Sequence, residues 1–99
     1  MQAHISTENN VMTVTVEGEI NTITTPQLAK MIEYPQTVSK LIFDLSKVRY
    51  VSSAGLRLFL NCQRTMTASH GEMIIRGCNE FVAETFASVG YDRIMRLET

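Results

Sequence analysis

From Asp44 to Leu60 the chain reads Asp-Leu-Ser-Lys-Val-Arg-Tyr-Val-Ser-Ser-Ala-Gly-Leu-Arg-Leu-Phe-Leu, a strand-type run delivered through two serines directly into an apolar-periodic helix. Ahead of it, Leu41-Ile42-Phe43 at the centre of Lys40 to Asp44 is apolar at consecutive positions, as a central strand covered by other elements requires. Behind it, Leu56, Phe59 and Leu60 together with Ala54, Leu58 and Cys62 recur at spacings of three and four. They form a wide stripe on a helix predicted over Ser53 to Ala68, with Arg57, Asn61 and Arg64 on the other side. A strand feeding a helix in this way is the building unit of an α/β domain, and one of the two serines should stand at the helix start.

The remaining elements extend that unit. Ala3 to Thr7 and Val11 to Glu17 are predicted to form a hairpin, because Asn9-Asn10 tolerates positive φ while Met12, Val14 and Val16 alternate with Thr13 and Thr15. Gly18 is read as its end. A short first helix should open at Thr24 or Thr25, with threonine as cap and Pro26 in the first helical position, and run through Leu28, Ala29, Met31 and Ile32 toward Tyr34-Pro35. His70-Gly71 turns the chain into a strand over Glu72 to Arg76. Asn79 is placed to cap a third helix carrying Phe81, Val82, Phe86 and Val89, which Gly90 stops. Tyr91 to Leu97 is predicted to contain a short edge strand. The result is a single α/β domain over residues 1–99, a mixed sheet of about four to five strands with right-handed crossovers and helices mainly on one face.

Composition excludes several functions. Nine basic against ten acidic residues give a net charge of −1, without the cationic excess that holds a nucleic-acid backbone. No apolar run approaches the roughly 20 residues that cross a bilayer, and no secretory leader is recognisable, so the expectation is a cytoplasmic domain with no membrane insertion. Cys62 and Cys78 lack metal-ligand or redox spacing and are expected to be buried free thiols. Catalysis has little support. Val51 occupies the first glycine position of a nucleophile elbow around Ser53, the spacing of His4, His70, Asp44 and Asp92 supports no triad, and there is no phosphate-binding glycine loop. No cofactor or metal is expected.

The Asp44-Leu45-Ser46 and Ser52-Ser53-Ala54-Gly55-Leu56 motifs resemble the signature of the STAS domain of bacterial anti-sigma factor antagonists. The likeness extends from Gly18-Glu19-Ile20 to Phe86-Ala87-Ser88-Val89-Gly90, and the first helix is shorter than is usual there. The resemblance implies an antagonist that binds an anti-sigma factor serine kinase, releases a sigma factor, and is regulated by phosphorylation of Ser53, with a PP2C-type phosphatase to reverse it. Its partner surface would comprise Asn21, Thr22, Thr24, Ser52, Ser53, Ala54, Gly55, Arg57, Asn61 and Arg64, with loops over Asn21 to Thr25 and Lys47 to Tyr50 converging there. Asn21 and Ser52 stand where relatives often carry Asp, which removes negative charge near the hydroxyl. From residue type alone, Ser52 or Ser53 is simply a helix cap and Gly55 a point of tight packing. The resemblance also admits a module that works unphosphorylated, as an interaction subunit of a membrane-transport or other signalling complex.

Overall fold

A computed structural model describes residues 1–32 and 38–98. The element order is β1 (Gln2–Glu8), β2 (Val11–Ile20), α1 (Thr24–Met31), β3 (Lys40–Val51), α2 (Ser53–Ala68), β4 (Glu72–Arg76), α3 (Glu80–Ser88), a 3-10 turn (Tyr91–Arg93) and β5 (Arg96–Glu98). The five strands lie side by side in chain order, β1 antiparallel to β2 and all later neighbours parallel. Three successive crossovers therefore step across the sheet in one direction, and right-handedness in each puts α1, α2 and α3 on the same face.

That face holds the core. Met12, Val14 and Val16 of β2, Leu41, Phe43 and Leu45 of β3 and Met73 and Ile75 of β4 pack with Leu28, Phe59 and Phe86 of the helices. Phe59 bridges the layers, edge-on to Phe43 with centroids 4.9 Å apart and tilted against Phe86 at 5.5 Å. Ile42 and Ile74 are also buried but face the other side, where Arg96 reaches Glu72 at 2.6 Å and Glu98 at 3.1 Å and Arg76 reaches Glu98 at 3.7 Å. Long charged side chains cover that pair of isoleucines, and no helix of the described residues does.

Several expectations need correction. β3 does not stop at Asp44. It continues to Val51, so Lys47 to Tyr50 is not a loop but strand paired with Glu17 to Glu19 of β2. Two register shifts make this possible: Thr15 pairs with Asp44 but Glu17 with Lys47, and Gly18 with Val48 but Glu19 with Tyr50. Each inserts one extra β3 residue as a bulge. At the first, Asp44 Oδ1 accepts from the Ser46 backbone N–H at 3.0 Å. That hydrogen bond, with Arg76 and Lys47 nearby, holds the Asp44 carboxyl below its ordinary pKa despite partial burial. Gly18, at φ 99°, lies inside β2 instead of ending it.

The hairpin turn is as expected, with Asn9 and Asn10 at φ 50° and 65°. At the later turn His70 takes the left-handed conformation, φ 62°. Gly71 sits close to its neighbours: a Cβ there would meet the movable end of Met66, Cε, at 2.6 Å and the Ser39 carbonyl oxygen at 3.1 Å. α1 closes at Met31, with Ile32 already extended, and Tyr34-Pro35 lies outside the described residues. In α3, Val82 and Phe86 are buried whereas Phe81 and Val89 are exposed. Asn79 caps that helix by accepting from Val82 N–H at 2.8 Å, and Gly90 ends it at φ 78°. Cys62 is buried but Cys78 only half-buried, its thiol pushed up to about 11 by desolvation.

Candidate functional site

The carboxyl ends of β2 and β3 release the chain side by side, tied by Ser52 N–H donating to the Ile20 carbonyl at 2.7 Å. Beyond Ile20, Asn21 organises the turn into α1. Its Oδ1 accepts from Ile23 N–H and Thr24 N–H, both at 2.9 Å, and Thr24 Oγ1 accepts from Asn21 N–H at 2.8 Å. These reciprocal bonds satisfy the open N–H groups of the helix start. Asn21 therefore supplies the side-chain bonds that were expected of Thr24 or Thr25, while Ile23 holds the position just before the helix without one of its own, and Pro26 is the third helical residue, not the first. Thr24 also donates to the Glu19 carbonyl, and Thr25 to that of Asn21.

Beyond Val51 the two serines divide the work. Ser52 is extended (φ −82°, ψ 173°), 9% exposed, and its Oγ accepts from Gly55 N–H at 3.2 Å. It is the cap of α2. Ser53 is the first helical residue, exposed, and its hydroxyl makes no hydrogen bond among the described residues. Gly55 is buried, and a Cβ there would stand 2.7 Å from Ile20 Cγ2 and 3.0 Å from Val51 Cγ1. Its role is to let α2 approach the strand ends closely, which sets where Ser53 emerges.

Ser53 opens onto a groove of about 450 Å³ between α1 and α2, lined by Thr25, Ala29, Ser53, Ala54, Arg57, Leu58 and Asn61. Its floor is apolar and small, and Arg57 and Asn61 are its polar wall. Ile23, 74% exposed, and Tyr50, at the end of β3, present apolar surface at the same end of the sheet.

Residues 2–99 match the STAS domain. The chain belongs to that family. It is 25% identical, over 84% of its length and 75% of the relative's, to an anti-sigma-B factor antagonist of Listeria monocytogenes, and equally to that of Listeria innocua. In fold it resembles an anti-sigma factor antagonist from Mycobacterium paratuberculosis (TM-score 0.85, 23% identity, 98% of this chain and 84% of that one). It also resembles the Bacillus cell fate determinant SpoIIAA in its phosphorylated form (TM-score 0.77, 18% identity, 99% and 92%).

This STAS domain thus brings Asn21, Thr24, Ser52, Ser53, Ala54, Arg57 and Asn61 to one end, with Thr22 exposed in the turn between them. Gly55 lies beneath that surface, and Arg64 is exposed further along α2, outside the groove. Ile23 and Thr25 fall within the Asn21 to Thr25 segment expected there, and Ala29 and Leu58 complete the groove although the sequence marked them only as apolar helix positions. Only the approach of α1 to α2 assembles them, and short-range spacing carries no sign of it. Asp44 and His70, considered as triad members in the sequence, are not gathered at the serines. Asp44 lies seven strand residues before Val51, roughly 20 Å from the serines. His70 follows the far end of the 16-residue α2, about 24 Å away. Among the described residues no histidine or carboxylate hydrogen-bonds Ser53, whose hydroxyl is exposed.

Proposed function

We propose that this STAS domain is an anti-sigma factor antagonist whose docking surface is the groove end of α2, and that phosphorylation of Ser53 controls it. The observation that carries the reading is the division between the serines. Ser52 is buried and engaged as the cap, whereas Ser53 is exposed, unbonded and at the mouth of a groove. The curated relatives are anti-sigma-B factor antagonists, which supports the same reading. A partner kinase would transfer the γ-phosphoryl of ATP to Ser53 Oγ, the hydroxyl proton leaving to the kinase's base and ADP departing. The new group adds about 1.5 to 2 negative charges at neutral pH, enough to expel a docked partner by repulsion and desolvation without disturbing the fold beneath. A PP2C-type phosphatase would restore the hydroxyl.

The test is to mix the purified domain with its cognate anti-sigma factor kinase and ATP, then measure intact mass and map the phosphopeptide. One phosphate on Ser53, absent from Ser53→Ala, is expected. Label on Ser46 or Ser52 that survives Ser53→Ala would show that the wrong hydroxyl has been assigned. No label on any serine would favour an interaction subunit that works unphosphorylated.

A further inference from the structure

Charge on this domain is sorted by element. α1 and α2 carry Lys30, Arg57 and Arg64 and no carboxylate, whereas α3 carries Glu80 and Glu84 and no cation. Of the five ion pairs among the described residues, four join neighbouring strands, Glu17–Lys47, Glu19–Arg49, Arg76–Glu98 and Arg96–Glu72, and the fifth, Arg96–Glu98, lies within β5. Lys30, Arg57 and Arg64 have no ion-pair partner among those residues.

Arg57 differs from the other two in its place. It lines the groove with Ser53 and follows it by four residues on α2, a spacing that brings side chains together on a helix surface. Helical side chains lean toward the N-terminus, a direction that brings a residue at this position within reach of the first turn. An anion preceding a cation by four residues is also the favoured order of such pairs. Arg64, eleven residues along, is about 16 Å from Ser53 along the axis, too far to share the contact. Arg49, at the end of β3, already has Glu19 at 3.9 Å.

We propose that Arg57 is the intramolecular receptor of the phosphate on Ser53. The phosphate oxygens accept from the guanidinium, which withdraws from the groove the cation that the unmodified domain offers to an anionic group of its partner. Phosphorylation then acts twice: it takes the α1–α2 face from three positive charges to about one, and it occupies Arg57. This rests on Ser53 being the phosphorylated residue.

The experiment places phosphoserine at position 53 of the full chain by encoded incorporation, so that no kinase is involved, and follows the second ionisation of the phosphate by ³¹P NMR. Among the described residues the charged groups on α1, α2 and the adjoining strand ends are Lys30, Arg57, the more distant Arg64, Glu19 and Arg49, and neither histidine lies on these elements. The phosphate pKa should be lower in the parent domain than in Arg57→Gln by about half a unit or more, with Arg57→Lys between them and Arg64→Gln superposable on the parent. Equal pKa values in the parent and Arg57→Gln, or an equal shift with Arg64→Gln, would overturn the proposal. Should Arg57→Gln fail to fold, the Arg57 Nε–H resonance of the parent decides: it moves when the phosphate is installed, and an unmoved resonance rejects the pairing. Kinase label on another serine beside the expected titration would reject the functional reading and leave the pairing standing; the reverse result would reject the pairing alone.

Discussion

Ser52 Oγ is engaged by Gly55 N–H while the Ser53 hydroxyl faces solvent, so the two serines should respond oppositely to substitution. Ser52→Ala removes a cap and should cost about 1 kcal/mol, read as a shifted denaturation midpoint. Ser53→Ala should leave the midpoint nearly unchanged and abolish phosphorylation. A midpoint that moves only in Ser53→Ala would mean that the caps have been assigned the wrong way round. Within β3, at its first bulge, the depressed pKa of Asp44 links stability to pH. The folded carboxyl ionises below its unfolded value, so its contribution is complete above the unfolded pKa, near 3.8, and is lost as pH falls through the folded one. Asp44→Asn should therefore flatten the acid limb of the stability profile and leave its slope above neutral pH alone. Chemical denaturation at a series of pH values reads this directly.

How much was legible in the sequence differs from element to element, for physical reasons. α2 was legible in its bounds and in its serine start, which are local properties, but of the predicted stripe Leu56, Phe59 and Cys62 are buried, Ala54, Leu58 and Leu60 only partly, and buried Met66 was not read. The hairpin was legible too, since two adjacent asparagines at positive φ are a local signal. β3 was read too short. Past Asp44 its polar residues look like a loop, and they stay in the sheet only because two bulges keep Lys47 beside Glu17 and Arg49 beside Glu19, a pairing no local pattern encodes. The side chain that caps α1 was misassigned for a similar reason: threonine is a good cap, but Asn21 reaches forward from the strand end to the N–H groups of Ile23 and Thr24. The signature located the serines, whereas the groove beside them required the packing of α1 on α2. The Gly55 contact is the element-scale point most open to attack. Gly55→Ala sets a methyl group against Ile20 and Val51 and should cost about 1–3 kcal/mol, displacing α2 from the strand ends. Full retention of stability would show that the helix has room to spare.

Across the whole molecule, three crossovers in one direction leave one sheet face to the helices and the other to ion pairs, and the proposed docking residues other than Arg64 gather where β2 and β3 end. The exposed arginine on that end has no packing role, so Arg57→Glu should weaken the partner complex and leave thermal stability within about 0.5 kcal/mol of the parent. Collapse of stability with binding intact would make Arg57 structural. The central claim is that phosphate on Ser53 switches docking off from outside the core. Calorimetric titration of the cognate anti-sigma factor against the unmodified and the Ser53-phosphorylated domain tests it most directly. A saturable complex with the unmodified form, weakened about tenfold or more by the phosphate, is the predicted result. Equal affinity for both forms, or tighter binding of the sigma factor itself than of the anti-sigma factor, would contradict it.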